Sequence, residues 1–183
     1  TLGIFALTSQ SLTGAIFYMV NHGFSTAALF LTAGWMIKRR GSTQIADFGG
    51  LQRVAPVLAW SFFLAGMSAL ALPGLSSFVS EFLVLIGSYA KYPVAAILGT
   101  LGIILAALYV LLAVQRALHG ETPATSTGIS DLNLREKIAI APVIAVLVLL
   151  GFYPKPALDV INPTTKTVMI NAGVSDPVAK VVK

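Results

Sequence analysis

The chain has 183 residues, 56% hydrophobic and 10% charged, with a mean hydropathy of +0.86 and a net charge of +5. It is too apolar to cover a soluble surface, and its positive charge sits at the ends of apolar runs rather than on one polyanion-binding face, so soluble-enzyme and nucleic-acid readings are excluded. There is no cysteine, which excludes disulfides, thiolate-ligated iron–sulfur clusters, c-type haem attachment and thiol chemistry within this stretch.

No Asp, Glu, Lys or Arg occurs in Thr1–Ile37, Val54–Ser80, Tyr92–Gln115 or Ile138–Pro154, and gaps of that length are membrane-sized. Residues 1–10 read as the end of a preceding span and a turn. With no basic leader before them, the chain is expected to be an internal piece of a longer polytopic protein. The first full segment, 11–37, stops at Lys38-Arg39-Arg40-Gly41, whose charges read as interfacial anchors together with Arg53. A glycine-bearing loop leads into a second segment, 54–72, broken by Pro73-Gly74. The third, 75–90, has 16 residues and carries Glu81; it is a short span or half of a discontinuous helix. Segment four, 93–118, opens on a first-turn proline. A polar loop, 121–137, precedes segment five, 134–153, with Asp131 or Asn133 as its N-cap. Residues 154–183 are expected to form a C-terminal tail with a short amphipathic surface helix.

The fold class expected is therefore all-α: a polytopic transmembrane bundle over 11–153, with about five membrane segments, one of them short or discontinuous. Counted as five full crossings, Lys38–Arg53, Lys91 and the C-terminal lysines fall on one side of the bilayer; a half-crossing of 75–90 changes that count. No internal repeat, P-loop, dinucleotide fingerprint or metal-ligand spacing is present.

An ionisable group retained inside a membrane is a functional candidate, because burying charge there is expensive. Glu81 and His22 qualify. At 100° per residue Ser77, Glu81 and Ser88 share one face of segment three. A carboxyl on such a polar stripe can hold or release a proton according to the charges beside it. Around His22 the residues Tyr18, Asn21, His22 and Ser25 follow i, i+3, i+4, i+7, a row able to order water and pass protons, since imidazole accepts at one nitrogen and donates at the other. The plainer alternative for both is interhelical pairing in a purely structural subunit. Pro73 and Gly74 add an interrupted helix beside the acid, a device that exposes backbone to ions at membrane depth.

The run Gly14 to Phe30, centred on Asn21-His22-Gly23, then Phe48-Gly-Gly-Leu51, then Leu72-Pro-Gly-Leu-Ser-Ser-Phe-Val-Ser-Glu81-Phe-Leu83, and finally Gly151-Phe-Tyr-Pro154 together resemble the C-terminal part of the M-type antiporter-like membrane subunits of bacterial NADH-quinone oxidoreductase, respiratory complex I. The resemblance implies a proton-translocating module driven by quinone reduction elsewhere in the assembly. It also implies that Glu81 is an essential carboxylate on a discontinuous helix and that His22 lies on the central hydrophilic axis. Members of that family are longer and contain two inverted repeats, so a first repeat is expected outside this sequence. The same resemblance implies no cofactor in this chain: NADH, FMN, iron–sulfur clusters and quinone belong to partner subunits. The partners it implies are other membrane-arm subunits, neighbouring antiporter-like chains above all, in the lipid bilayer of the bacterial cell membrane. The alternative is a subunit of a multisubunit sodium/proton antiporter, with Ser77, Ser80, Glu81 and backbone at the break as sodium ligands.

Overall fold

The computed structural model describes residues 1–123 and 128–177, and the regular structure among them is entirely helical. A single turn, α1 (Leu2–Phe5), comes before the cap residue Thr8. The Thr8 hydroxyl accepts the Ser11 amide at 3.1 Å, and the Ser11 hydroxyl accepts the Thr8 amide at 3.3 Å. This reciprocal box satisfies donors that a helix start otherwise leaves free. From it α2 (Ser9–Arg40) runs for 32 residues, about 48 Å at 1.5 Å per residue. It ends where Lys38, Arg39 and Arg40 meet the negative end of the helix dipole and Gly41 turns left-handed at φ +71°.

After a 3-10 turn at Ile45–Asp47 come α3 (Leu51–Val54), α4 (Pro56–Ala69) and α5 (Ser76–Tyr89). The last two have 14 residues each, about 21 Å, too short for a hydrocarbon layer of about 30 Å. α4 closes with a Schellman arrangement: the Leu72 amide reaches the Met67 carbonyl at 3.0 Å and the Ala71 amide the Ser68 carbonyl at 3.1 Å, with Ala71 at φ +58° where glycine is usual. Pro73 cannot donate, and Gly74 at φ +95° redirects the chain.

The contacts give the direction of each short helix. Ser76 meets Asn21, Ser80 meets Gly14 and Gly87 meets Ser11, so α5 retraces the first half of α2 in reverse. α4 begins beside the other end of α2. There Asp131 accepts the Val57 and Leu58 amides at 3.0 and 2.9 Å while Arg39 reaches the Asp131 carbonyl. Leu58 and Ala59 then share a buried cluster with Ala28 and Met36. α4 and α5 therefore lie end to end along α2 as one interrupted crossing. Of the two readings of segment 75–90, the structure has the half of a discontinuous helix.

α6 (Pro93–Leu118) runs alongside both halves, Gly99 against Leu2 and Leu85, and Gly66 of α4 against Val110 and Val114. Its side chains Leu98, Leu105 and Leu108, among others, are exposed, and a helix apolar all round is the pattern of a membrane span. α7 (Leu134–Phe152) starts on a capping box formed by Asn133 and Glu136. Arg39 pairs with Glu136 at 2.5 Å and so ties the end of α2 to the start of α7, a role beyond the interfacial anchoring expected of it. Among the described residues, α2 and α6 are each long and apolar enough to cross a membrane. α7 and α8 (Lys155–Asn171) pass that test only as a pair, meeting at a 71° bend. α8 buries Thr165 and Met169 and places Thr165 against Thr13 of α2. The end of the expected tail, 178–183 with Lys180 and Lys183, and residues 124–127 of the expected polar loop lie outside the described residues.

Candidate functional site

Two glycines let α2 and α5 touch backbone to backbone. A Cβ on Gly14 would fall 2.7 Å from the Val84 nitrogen and 2.9 Å from the Ser80 carbonyl oxygen, and one on Gly87 would fall on the backbone of Ser11. Small residues at such a crossing allow the close approach on which helix association in lipid depends. Ser76, Ser77, Ser80 and Ser88 of α5 are all buried. The Ser77 hydroxyl meets Ser68 at 3.4 Å across the helix break, and the Ser80 hydroxyl donates to the Ser77 carbonyl at 2.9 Å. Ser88 lies beside the Gly87 crossing, its hydroxyl buried with no partner among the described residues. The serines expected to line a stripe with Glu81 thus form the packing face of α5.

Glu81 sits at the edge of that face, half-buried. With Tyr18 it lines a cleft of about 320 Å³ walled by Met19, Val84, Leu85 and Ile103, and the Tyr18 hydroxyl is near enough to interact with its carboxyl. The Tyr18 ring stacks on His22, centroids 5.6 Å apart and planes 19° from parallel. The Thr26 hydroxyl lies 3.4 Å from His22 Nε2. Carboxyl, phenol, imidazole and hydroxyl thus follow one another along one flank, three of them on α2 at i, i+4 and i+8.

The expected row of Tyr18, Asn21, His22 and Ser25 divides in two. Tyr18 and His22 take the open flank, and His22 is exposed, whereas Asn21 and Ser25 are buried. The Asn21 amide donates to the Ser76 carbonyl at 2.9 Å and meets the Ser80 hydroxyl at 3.2 Å. Adjacent positions on a helix are 100° apart, so Asn21 and His22 face different neighbours. Thr26 is not among the residues the sequence singles out, although its spacing of four from His22 puts it on the same flank.

All four groups of the flank can donate and accept hydrogen bonds when neutral. Among the described residues no Lys or Arg forms an ion pair with Glu81, and no group of three or more His, Cys, Asp or Glu gathers as metal ligands. Pro73 and Gly74 precede the N-cap of α5, Leu75, so the break lies about two turns from Glu81.

Comparison with known proteins adds a family. Residues 1–112 match the family described as NADH:quinone oxidoreductase/Mrp antiporter, TM. Over 179 residues the chain is 49% identical to NADH-quinone oxidoreductase subunit M of Mycobacterium tuberculosis, an alignment that takes in 98% of this chain and 32% of that protein. It is 41% identical over 172 residues to subunit M of Rhodobacter capsulatus, covering 93% of this chain and 34% of that one. The chain therefore spans about a third of the length of these curated relatives. Among solved structures it is similar to a chain of respiratory complex I from Thermus thermophilus with bound NADH, at a TM-score of 0.85 and 31% identity over 92% of this chain and 35% of that chain. A chain of the Mrp complex from Dietzia sp. shares the fold at a TM-score of 0.78 and 22% identity, over 91% of this chain and 39% of that chain.

Proposed function

The chain belongs to the NADH:quinone oxidoreductase/Mrp antiporter transmembrane family, and from that premise we propose that it forms part of the proton-translocating membrane subunit of NADH-quinone oxidoreductase in a bacterial cell membrane. In this reading it is a non-redox subunit of a translocase. Hydride and electron transfer take place in partner subunits that hold NADH, FMN, iron–sulfur clusters and quinone, and neighbouring antiporter-like chains of the membrane arm flank it.

The observation that carries the reading is a half-buried carboxyl, Glu81, facing a phenol that stacks on an imidazole. The neighbour of Glu81 within these residues is Tyr18, whose hydroxyl can both give and accept a proton. Glu81 takes up a proton, Tyr18 hands it on by giving one proton and accepting another, and His22 passes it along the flank with Thr26 orienting its ring. Asn21 supports the relay by fixing α2 against α5, Ser77 by tying α5 to α4 through Ser68, and Ser25 and Ser88 by small buried side chains that let the helices pack closely. The sodium alternative is less well served, because the Ser77 and Ser80 hydroxyls engage Ser68, Asn21 and their own helix turn and do not converge with the carboxyl on one point.

The test is Glu81→Gln in the full-length subunit, with proton uptake into inverted vesicles followed during NADH oxidation. Uptake and turnover should collapse in a complex that still assembles. Near-normal uptake in an assembled complex would overturn the relay and leave Glu81 a structural residue.

A further inference from the structure

α7 and α8 lie beyond the residues matched to the family, yet they touch both helices of the proposed relay. At Gly151 the backbone of α7 rests on the helix break. A Cβ there would land on the Gly74 carbonyl and 2.7 Å from the Leu75 carbonyl carbon, and Leu75 is the N-cap of α5. No flexible side-chain end stands between the two backbones, so a displacement of one is passed to the other. α8 then leaves at 71° and reaches the start of α2. The Thr13 hydroxyl lies 3.2 Å from that of Thr165, which is 1% exposed, and 3.1 Å from Asn162 Oδ1. Past α8, Asp176 accepts the amide of Ser9, the first residue of α2, at 2.7 Å.

The start of α5 needs such a hold. It has no side-chain cap, and helix continuity from α4 is lost through left-handed Ala71, Pro73 and Gly74. Glu81 follows Leu75 by less than two turns, and Tyr18 follows Thr13 by less than two, so fixing Leu75 and Thr13 fixes the approach of the two relay side chains. We infer that α7 and α8 form a brace that sets the register of α5 against α2, with Gly151 and Thr165 as its positioning residues. This inference rests on the Glu81–Tyr18 relay proposed above.

The experiment uses the full-length subunit in the assembled complex and reads the rate of NADH-driven proton uptake alongside quinone reductase rate. Gly151→Ala pushes on the N-cap of α5, and Thr165→Val removes the hydroxyl at the other end without changing volume. Each should lower the rate of NADH-driven proton uptake by about three- to tenfold, a misplacement of about 1 Å being enough to impair transfer. Thr165→Ser, which keeps the hydroxyl, should restore it, and Gly102→Ala, which meets open space, should leave it unchanged. In a Tyr18→Phe background Gly151→Ala and Thr165→Val should add no further loss, because all act on one contact.

The brace is overturned if either variant acts at full size on top of Tyr18→Phe, or if Thr165→Ser is as poor as Thr165→Val. If Gly151→Ala prevents assembly, the Thr165 pair decides the matter by itself. If Tyr18→Phe and Glu81→Gln both leave uptake intact, the relay itself is refuted and the brace with it, a result distinct from a working relay insensitive to Gly151 and Thr165.

Discussion

Gly87 shows how little room the site leaves at single positions. A Cβ there would collide with the Ser11 nitrogen and Cα, neither of which can swing aside, so Gly87→Ala should force α2 and α5 apart at a cost of about 1–3 kcal/mol. Thermal denaturation of the solubilised complex should show the loss, with Gly102→Ala as the silent control; an unchanged midpoint for Gly87→Ala would mean the crossing is looser than described. The same crossing explains what could be read at this scale. Glu81 is legible because a lone charge in an apolar stretch stands out whatever surrounds it. The role of Ser77 and Ser88 is not, since a line of small polar residues suits a proton path and a close helix contact equally, and the glycines that decide between them lie partly on another helix. The division of Asn21 from His22 was equally hidden. A helical wheel gives angles, and only the positions of α5 and of the open cleft say which angle meets a neighbour.

At the scale of elements, a capping residue is more legible in the sequence than the helix it serves. Asn133 caps α7, while Asp131, an equal candidate for that helix, caps α4 from the far end of a long loop by accepting the Val57 and Leu58 amides. Burial, the largest influence on the Asp131 carboxyl, pushes its pKa up, but the amides of Val57, Leu58 and Leu132 and the charge of Lys137 together hold it below the usual carboxylate value. With the folded pKa depressed, the cap stabilises the fold above the unfolded value of about 3.9 and loses that contribution as pH falls through the folded value. Asp131→Ala should therefore destabilise by about 0.5–2 kcal/mol at neutral pH, and the gap from the unmodified protein should close in strong acid. A gap independent of pH would assign the effect to packing. The Pro73-Gly74 interruption was visible in the sequence, but the stacking of α4 on α5 was not. That arrangement depends on α2 being long enough to back both, a match between elements far apart in the chain.

For the whole molecule, stacking α4 and α5 into one crossing redistributes the charges. The end of the bundle shared by the last turn of α2, the start of α4, the end of α6 and the start of α7 carries Lys38, Arg39, Arg40, Arg53, Arg116, Arg135 and Lys137, while Lys91 moves to the opposite end with Lys166. Five separate crossings would have placed Lys91 with the first group. Basic residues flanking short loops are retained on the cytoplasmic side, so the Arg39 end should face the cytoplasm and the α5–α6 joint the other compartment. Single cysteines introduced at Thr43 and Lys91, in a full-length subunit with any other cysteine replaced, distinguish the arrangements by labelling with a membrane-impermeant thiol reagent. Thr43→Cys should react in inverted vesicles and Lys91→Cys in right-side-out ones. Reaction of both from one face would mean that α4 and α5 each traverse the bilayer, and the seat of Glu81 beside Tyr18, which requires α5 to lie on the first half of α2 only, would go with it.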